Sequence, residues 1–536
     1  MKDTSMKLSF IIFSLLLAAQ LSAGRWMWGQ SFGGPSLERI WDITSDAANN
    51  LFVTGEFQEY LLIGGQTFPC LGSVNSLVAK FGPEGTLAWC RTLGGSGDNS
   101  GLGIGVDALG NCYAGGVFTG TLYCQGDSLV SNGIGDGYVV KFDPAGNLQW
   151  MRSFGGPAND LVHGLSVNAA GQVVAAGWFS DTFTFSPGQN LVSYGGSDIF
   201  TLSLNSAGVP LWARQAGSPY VDYGYKAACD NLGNAYTTGV ATPGSNFSGL
   251  TLPTGGVYVV KYDATGTPQW LLPTVNAQVI SISCQPEAAG TQFGAVAGRL
   301  TGAGSFGDFT FDTVEGSSDY YWAKFDALTG HWVDLQVQGG TEDDRGRDCH
   351  YGQNLAVVGT ISGSASFLGQ TYISNGADDI MIFDEISGVV TAGGTYSEVP
   401  YAICRMPNGN LAISGWHFGS FELNCGIIDS GSEFNQNALI AVYNPSAANA
   451  EQVQQPEFLH CHPNPFSGQI TVRSDITGPR IMRVFNLKGQ LLDSRTVAAN
   501  ADCVWDGRDS RGKEQGPGIY IVDVNGRRAR ILKLNR

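Results

Sequence analysis

Residues 102–156 read LGIGVDALGNCYAGGVFTGTLYCQGDSLVSNGIGDGYVVKFDPAGNLQWMRSFGG. Four short runs rich in β-branched, aromatic and small residues stand out: Leu102–Val106, Asn111–Phe118, Tyr138–Phe142 and Leu148–Phe154. Asp107-Ala108-Leu109-Gly110 separates the first two, and Asp143-Pro144-Ala145-Gly146 the last two. Asp, Pro and Gly are the residues that tight turns require, so the stretch predicts four antiparallel strands. The pattern also recurs along the chain. Trp28, Trp89, Trp150, Trp212, Trp270 and Trp332 are spaced by 61, 61, 62, 58 and 62 residues. A period this long marks a repeat architecture.

Counting by strand gives seven units. The first strands centre near Ile43, Ile104, Leu165, Ala227, Ile282, Arg347 and Ala402, and the third near Val78, Val139, Phe200, Val259, Trp322, Met381 and Ile440. The phase is informative. The opening strand, Arg25–Phe32, is of the fourth type, and the last unit (399–444) supplies only three. The opening strand can therefore complete the last unit and close a ring, which removes free sheet edges. An open solenoid would need polar caps instead. The expected fold is all-β: a seven-bladed β-propeller over 24–444, closed by the N-terminal strand. The fifth unit departs from the pattern, because Leu-Leu-Pro-Thr-Val follows Trp270 in place of Gly-Gly. The sixth lacks the fourth-strand Trp. Both are expected to be irregular.

Composition agrees with this reading. The 536 residues include 75 glycines, only 14% are charged, and 11% are aromatic, which suits short strands and tight turns. A net charge of −17 argues against nucleic acid as a partner. Residues 1–23 read as a signal peptide, with Lys2 and Lys7 ahead of the apolar run Leu8–Ala19. That run is shorter than the ~20 residues a membrane span needs, so export is expected and no transmembrane segment in the mature chain. Of the 11 cysteines, Cys229, Cys284, Cys349 and Cys404 share one repeat position and read as small apolar filler. Cys112 and Cys124 are expected to face each other across a hairpin. Residues 445–457 read as a linker. Residues 458–536 read as a small β-sandwich, and from Pro456 onward 13 Lys plus Arg stand against 8 Asp plus Glu.

Two resemblances follow from quoted residues. The Gly-Asn…Tyr/Phe…Gly runs (Gly110 to Gly116, Gly233 to Gly239) and the Lys-Phe-Asp…Gly…Trp run (Lys141 to Trp150), with the Gly-Gly after it, resemble the SBBP-type β-propeller repeat of secreted bacterial proteins. The tail carries Pro463-Asn464-Pro465-Phe466, then Val484 to Gly489-Gln490, then Trp505-Asp506-Gly507, then Gly516-Pro517-Gly518-Ile519-Tyr520, and a basic end at Lys533. It looks like the C-terminal sorting domain of type IX secretion substrates in Bacteroidota. That likeness implies the secretion machinery as a partner and an address at the outer-membrane surface or outside the cell.

Candidate chemistry lies where the repeat is broken. First strands should be lined by small residues, as at Gly103, Gly105, Gly164, Ser166, Ser281, Ser283 and Gly346. Asp42, Lys226, Arg345, Arg347, Asp348 and Tyr401 depart from this. Buried charge is costly unless paired, so these residues either bind a ligand or pair with each other. Glu38, Asp98, Asp160, Asp222, Asp344 and Glu398 recur after Gly-Gly, which fits a cation site or, more simply, local bonding within the loop. No catalytic motif, metal motif or cofactor fingerprint is present: Gly-x-Ser-x-Gly, His-Glu-x-x-His and Gly-x-x-x-x-Gly-Lys-Ser/Thr are all absent. His460 and His462, flanking Cys461, are the nearest approach to a metal pair. The expected function is a binding or interaction module for a glycan or protein ligand. The alternatives are a glycan-cleaving enzyme on a propeller scaffold and a structural surface component.

Overall fold

A computed structural model describes residues 24–284, 293–313, 318–431, 435–446, 460–462, 467–473, 480–486, 490–497, 503–524 and 527–533. The chain divides into two compact units, the first ending at Ala448 and the second beginning at Asn449. The expected signal peptide, most of the expected linker, and Pro463, Asn464, Pro465 and Gly489 lie outside the described residues.

Every described element of the first unit is a strand, and antiparallel pairing follows a recurring four-strand order, with short hairpins such as Thr121–Cys124 with Asp127–Val130 added to it. The second set pairs Asn99–Val106 with Cys112–Phe118, that strand with Asp136–Phe142, and that in turn with Leu148–Phe154. The last set takes Glu398–Arg405, Leu411–His417 and Asn437–Asn444 from the end of the unit and Arg25–Phe32 from its beginning. The expected closure by the opening strand is thus present as a paired register running from Arg25↔Asn444 to Phe32↔Ala438.

First strands touch first strands in sequence: Glu38–Ser45, Asn99–Val106, Asp160–Val167, Tyr223–Cys229, the end of Pro268–Cys284, Arg345–Tyr351 and Glu398–Arg405, which returns to Glu38–Ser45. The buried apolar residues follow the same cycle in seven clusters, each drawn from two adjacent sets. Each set therefore buries both sheet faces against its neighbours, which accounts for the nearly continuous burial of the second and third strands.

The recurring tryptophan has a specific role. Trp28, Trp89, Trp150, Trp212 and Trp270 each donate the indole N–H to a turn carbonyl of the following unit, at Pro83, Pro144, Ser206, Ala264 and Ala327 respectively, over 2.9–3.3 Å. The turn glycine lies flat on the ring. At Gly266 φ is +79°, and a Cβ there would come within 2.6 Å of the Trp212 indole. Trp332 departs from the pattern and donates to the Pro273 carbonyl at 3.4 Å.

Both irregular units have visible causes. With Gly-Gly missing after Trp270, the strand continues unbroken as Pro268–Cys284 and belongs to two sets. The sixth set ends in a short fourth strand, Gly388–Ala392. Beside it lies a cleft of about 450 Å³ lined by Trp26, Val390, Glu422 and Tyr443, among others.

Cys112 and Cys124 are corrected. Cys112 pairs with Phe142 and Val106, whereas Cys124 lies in a separate hairpin opposite Asp127. Both are buried free thiols. Cys229, Cys284, Cys349 and Cys404 are also free and buried.

The second unit has one sheet of His460–His462, Ile470–Arg473 and Cys503–Trp505, and another of Arg480–Asn486, Leu491–Val497, Gly518–Val524 and Arg527–Lys533. Ile470, Val472 and Trp505 from the first meet Met482, Val484, Tyr520 and Val522 from the second in one core. No helix among the described residues is long and apolar enough to cross a membrane.

Candidate functional site: a ring of bulged residues

Each of the seven first strands skips one residue in its register with the second strand. The skips fall between Ile40 and Asp42, Gly101 and Gly103, Val162 and Gly164, Gly224 and Lys226, Val279 and Ser281, Gly346 and Asp348, and Pro400 and Ala402. A bulge leaves the extra residue unpaired and re-aims its side chain. The extra residues are Trp41, Leu102, His163, Tyr225, Ile280, Arg347 and Tyr401, and all seven are half-buried. Neighbours in the cycle touch. Trp41 stacks on Tyr401 with ring centroids 4.3 Å apart. The Arg347 guanidinium lies over Tyr401 at 5.6 Å, and His163 meets Tyr225 at 5.2 Å.

The residue after each bulge forms a second layer: Asp42, Gly103, Gly164, Lys226, Ser281, Asp348 and Ala402. Lys226 Nζ lies 3.5 Å from Asp42 Oδ2, and the Asp348 carboxylate acts on it as well. Both acids also serve the backbone. Asp42 accepts from the Ile104 N–H at 3.0 Å and Asp348 from the Ile403 N–H at 2.7 Å, in each case on the next set. Ser281 donates to Asp348. Burial pushes the Asp348 carboxyl up to about 6, although Lys226 opposes it. Burial would lower the Lys226 ammonium, but Asp42 and Asp348 outweigh that and hold it above its ordinary value. One ammonium between two carboxylates cannot balance both. His163 is neutral at pH 7, since burial and then Lys226 bring it down to about 4.

The structure therefore separates residues that the sequence grouped as one patch. Asp42, Lys226 and Asp348 form a buried ionic cluster. Arg347 and Tyr401 belong to the bulge ring, and Arg345 lies two residues before it, paired with Asp343 at 2.9 Å. Asp98 is displaced by one position: Asn99 takes the buried place that Glu38, Asp160, Asp222, Asp344 and Glu398 occupy in other sets, and Asp98 is exposed. Sequence reasoning passed over Trp41, His163 and Tyr225. Their signal is that each sits just before a residue of the second layer, a relation visible only once the bulge is known.

Several buried hydrogen-bond donors, two of them on the ring, lack acceptors. Arg39 Nε, Trp41 Nε1, Arg345 Nε, Arg347 Nε and Trp416 Nε1 are buried and have no partner. They come from the sixth, seventh and first sets, which are consecutive in the cycle. Arg39 is paired with Glu56 at 3.7 Å. Arg347 has no carboxylate partner among the described residues, and burial, chiefly, lowers its pKa. Among the described residues no group of three His, Cys, Asp or Glu side chains is placed to hold a metal.

No family model matches the chain, and no curated protein does. Solved structures do. The C-terminal WD40 domain of Sif2 aligns at 9% identity over 78% of this chain and 99% of that one, with a TM-score of 0.39. A europium-containing methanol dehydrogenase aligns at 11% over 79% and 94%, with a TM-score of 0.31. A puromycin hydrolase mutant aligns at 12% over 71% and 58%, with a TM-score of 0.32. These neighbours are propeller proteins of unrelated activities, so the fold alone selects none of them.

Proposed function

We propose that the chain is an exported binding module: a seven-bladed β-propeller of the SBBP-repeat type whose ligand sits on the bulge ring between the sixth, seventh and first sets. The carrying observation is the pair of ring donors that lack acceptors, Trp41 Nε1 and Arg347 Nε, at the Trp41–Tyr401 stack. Buried donors without partners cost free energy, and a ligand rich in acceptors with one flat apolar face satisfies both features. A carbohydrate has that chemistry, and Trp, Tyr and Arg are the side chains that dominate recognition surfaces. The glycan-cleaving alternative needs two carboxylates free to act as acid and base. Of the carboxylates near these donors, Glu56 and Asp343 are each held in an ion pair, and Asp378, whose charge acts on Arg347, accepts from the Ser362 hydroxyl. A structural component with a channel lined only by small residues does not account for Trp41, Arg347 and Tyr401.

The second unit is proposed to be the type IX sorting address, delivering the protein to the outer-membrane surface or the medium. Support comes from the way its motifs meet. Trp505 is fully buried and stacks edge-on with Tyr520 at 5.1 Å. The Tyr520 hydroxyl donates to the Gly516 carbonyl, and Lys533 is buried against Gln515 and Glu514. Gly518 opens the strand that carries Tyr520.

The test is a glycan and acidic-polymer binding screen on the full mature chain. Arg347→Leu and Tyr401→Ala should each weaken the hit at least about tenfold, which is 1.4 kcal/mol, without lowering Tm. Binding that survives both substitutions would move the ligand elsewhere.

A further inference from the structure

The third strand of most sets begins with an acid or amide, at Asn75, Asp136, Asp198, Asp319, Asp379 and Asn437, all of them buried. The next first strand opens at, or directly after, Asn99, Asp160, Asp222, Asp344, Glu398 and Glu38, which are buried too. The Gly-Gly pair runs between them. A Cβ on Gly155 would lie 2.7 Å from Asp136 Oδ1 and 2.9 Å from Asp160 Oδ2, and one on Gly393 would lie 2.3 Å from Asp379 Oδ1. Glycine is required at these places because any side chain would fill the gap beside the oxygens.

At the junction of the sixth and seventh sets each acid uses one oxygen and leaves the other idle. Asp379 Oδ2 accepts from the Asn375 N–H at 3.0 Å, and Glu398 Oε2 accepts from the Gly394 N–H at 2.8 Å. Asp379 Oδ1 and Glu398 Oε1 are buried with no partner. The side chains are 1% and 0% exposed. The other charges acting on Glu398 are Asp379 and Asp378, both negative. Asp136 Oδ1, Asp198 Oδ1 and Asp344 Oδ2 are idle in the same way at other junctions.

We propose that the Asp379–Glu398 junction binds a hard divalent cation of the Ca²⁺ class. Adjacent buried carboxylates need a counter-charge, and an all-oxygen setting of carboxylates, amides and main-chain carbonyls is what Ca²⁺ takes. The junction supplies two carboxylates, leaving the remaining coordination to carbonyls and water. The proposal is independent of the ligand assigned to the bulge ring.

The competing occupant is a proton, and the two separate cleanly. The full mature chain, dialysed in Ca²⁺ and then freed of excess, is analysed for bound metal and melted in Ca²⁺, Mg²⁺ or chelator. At least one Ca²⁺ per chain and a Tm raised by about 5 °C or more over chelator are expected, because a cation that binds only the folded state stabilises it. The double variant Asp379→Asn/Glu398→Gln should fold, lose about one equivalent of Ca²⁺, and show a smaller Tm response. No retained metal, with identical melting in Ca²⁺ and chelator and stability that rises as pH falls, would overturn the proposal in favour of shared protons.

Discussion

Lys226→Met probes the buried ionic cluster most directly. The substitution keeps the length of the side chain and removes the positive charge that meets Asp42, at 3.5 Å, and acts on Asp348. Even with Lys226 in place, the Asp348 carboxyl stands at about 6 against an ordinary value near 3.8. Removing one partner from a buried ionic group costs about 3–5 kcal/mol, and that is the expected loss at pH 8. The sign follows from proton binding. A raised carboxyl pKa means that the folded protein holds a proton the unfolded chain releases, so stability falls as pH rises through that window, and the penalty is complete above it. Without Lys226 the window moves upward. The loss measured by urea denaturation should therefore be largest at pH 8 and shrink toward pH 5. Adding Asp42→Asn should restore part of it, since an amide oxygen can still accept from Ile104. A loss below about 1 kcal/mol at pH 8, or one equal at both pH values, would refute the reasoning.

Gly266→Ala should cost about 2 kcal/mol, because it adds left-handed strain to a collision with Trp212. Gly409→Ala has a similar φ of +88° but open space around its Cβ, so it should cost only about 1 kcal/mol; urea titration compares the two. Deleting residues 24–32 leaves Asn437–Asn444 as a bare edge, and size-exclusion chromatography should show association in place of a monomer.

Much of the first unit was legible because its determinants are local. The turns at Asp107 and Asp143 hold their own backbone N–H groups through the aspartate side chain, and such chemistry repeats wherever the turn does. Phase alone placed Arg25–Phe32 beside the last unit. The site was less legible, because a bulge changes the count of residues without changing their type. Arg347 and Asp348 are adjacent in sequence yet fall in different layers, and Tyr401 shares its layer with Trp41, not with Asp42. Asn99 rather than Asp98 stands four residues after Gly-Gly, as Asp160 and Glu398 do, so that offset is one of loop alignment. The Cys112–Cys124 expectation failed because Cys124 opens a hairpin of its own outside the four-strand pattern.

The seven bulges bear on how such a protein changes its target. A residue skipped by the strand register has no cross-strand partner to satisfy, and those in this ring belong to none of the seven apolar clusters. Exchanging one therefore alters contacts with its ring neighbours, such as the Trp41–Tyr401 stack, and leaves the seven clusters as they are. Seven positions around one mouth form a combinatorial surface that drift can sample one residue at a time, with new specificities carrying little risk to folding.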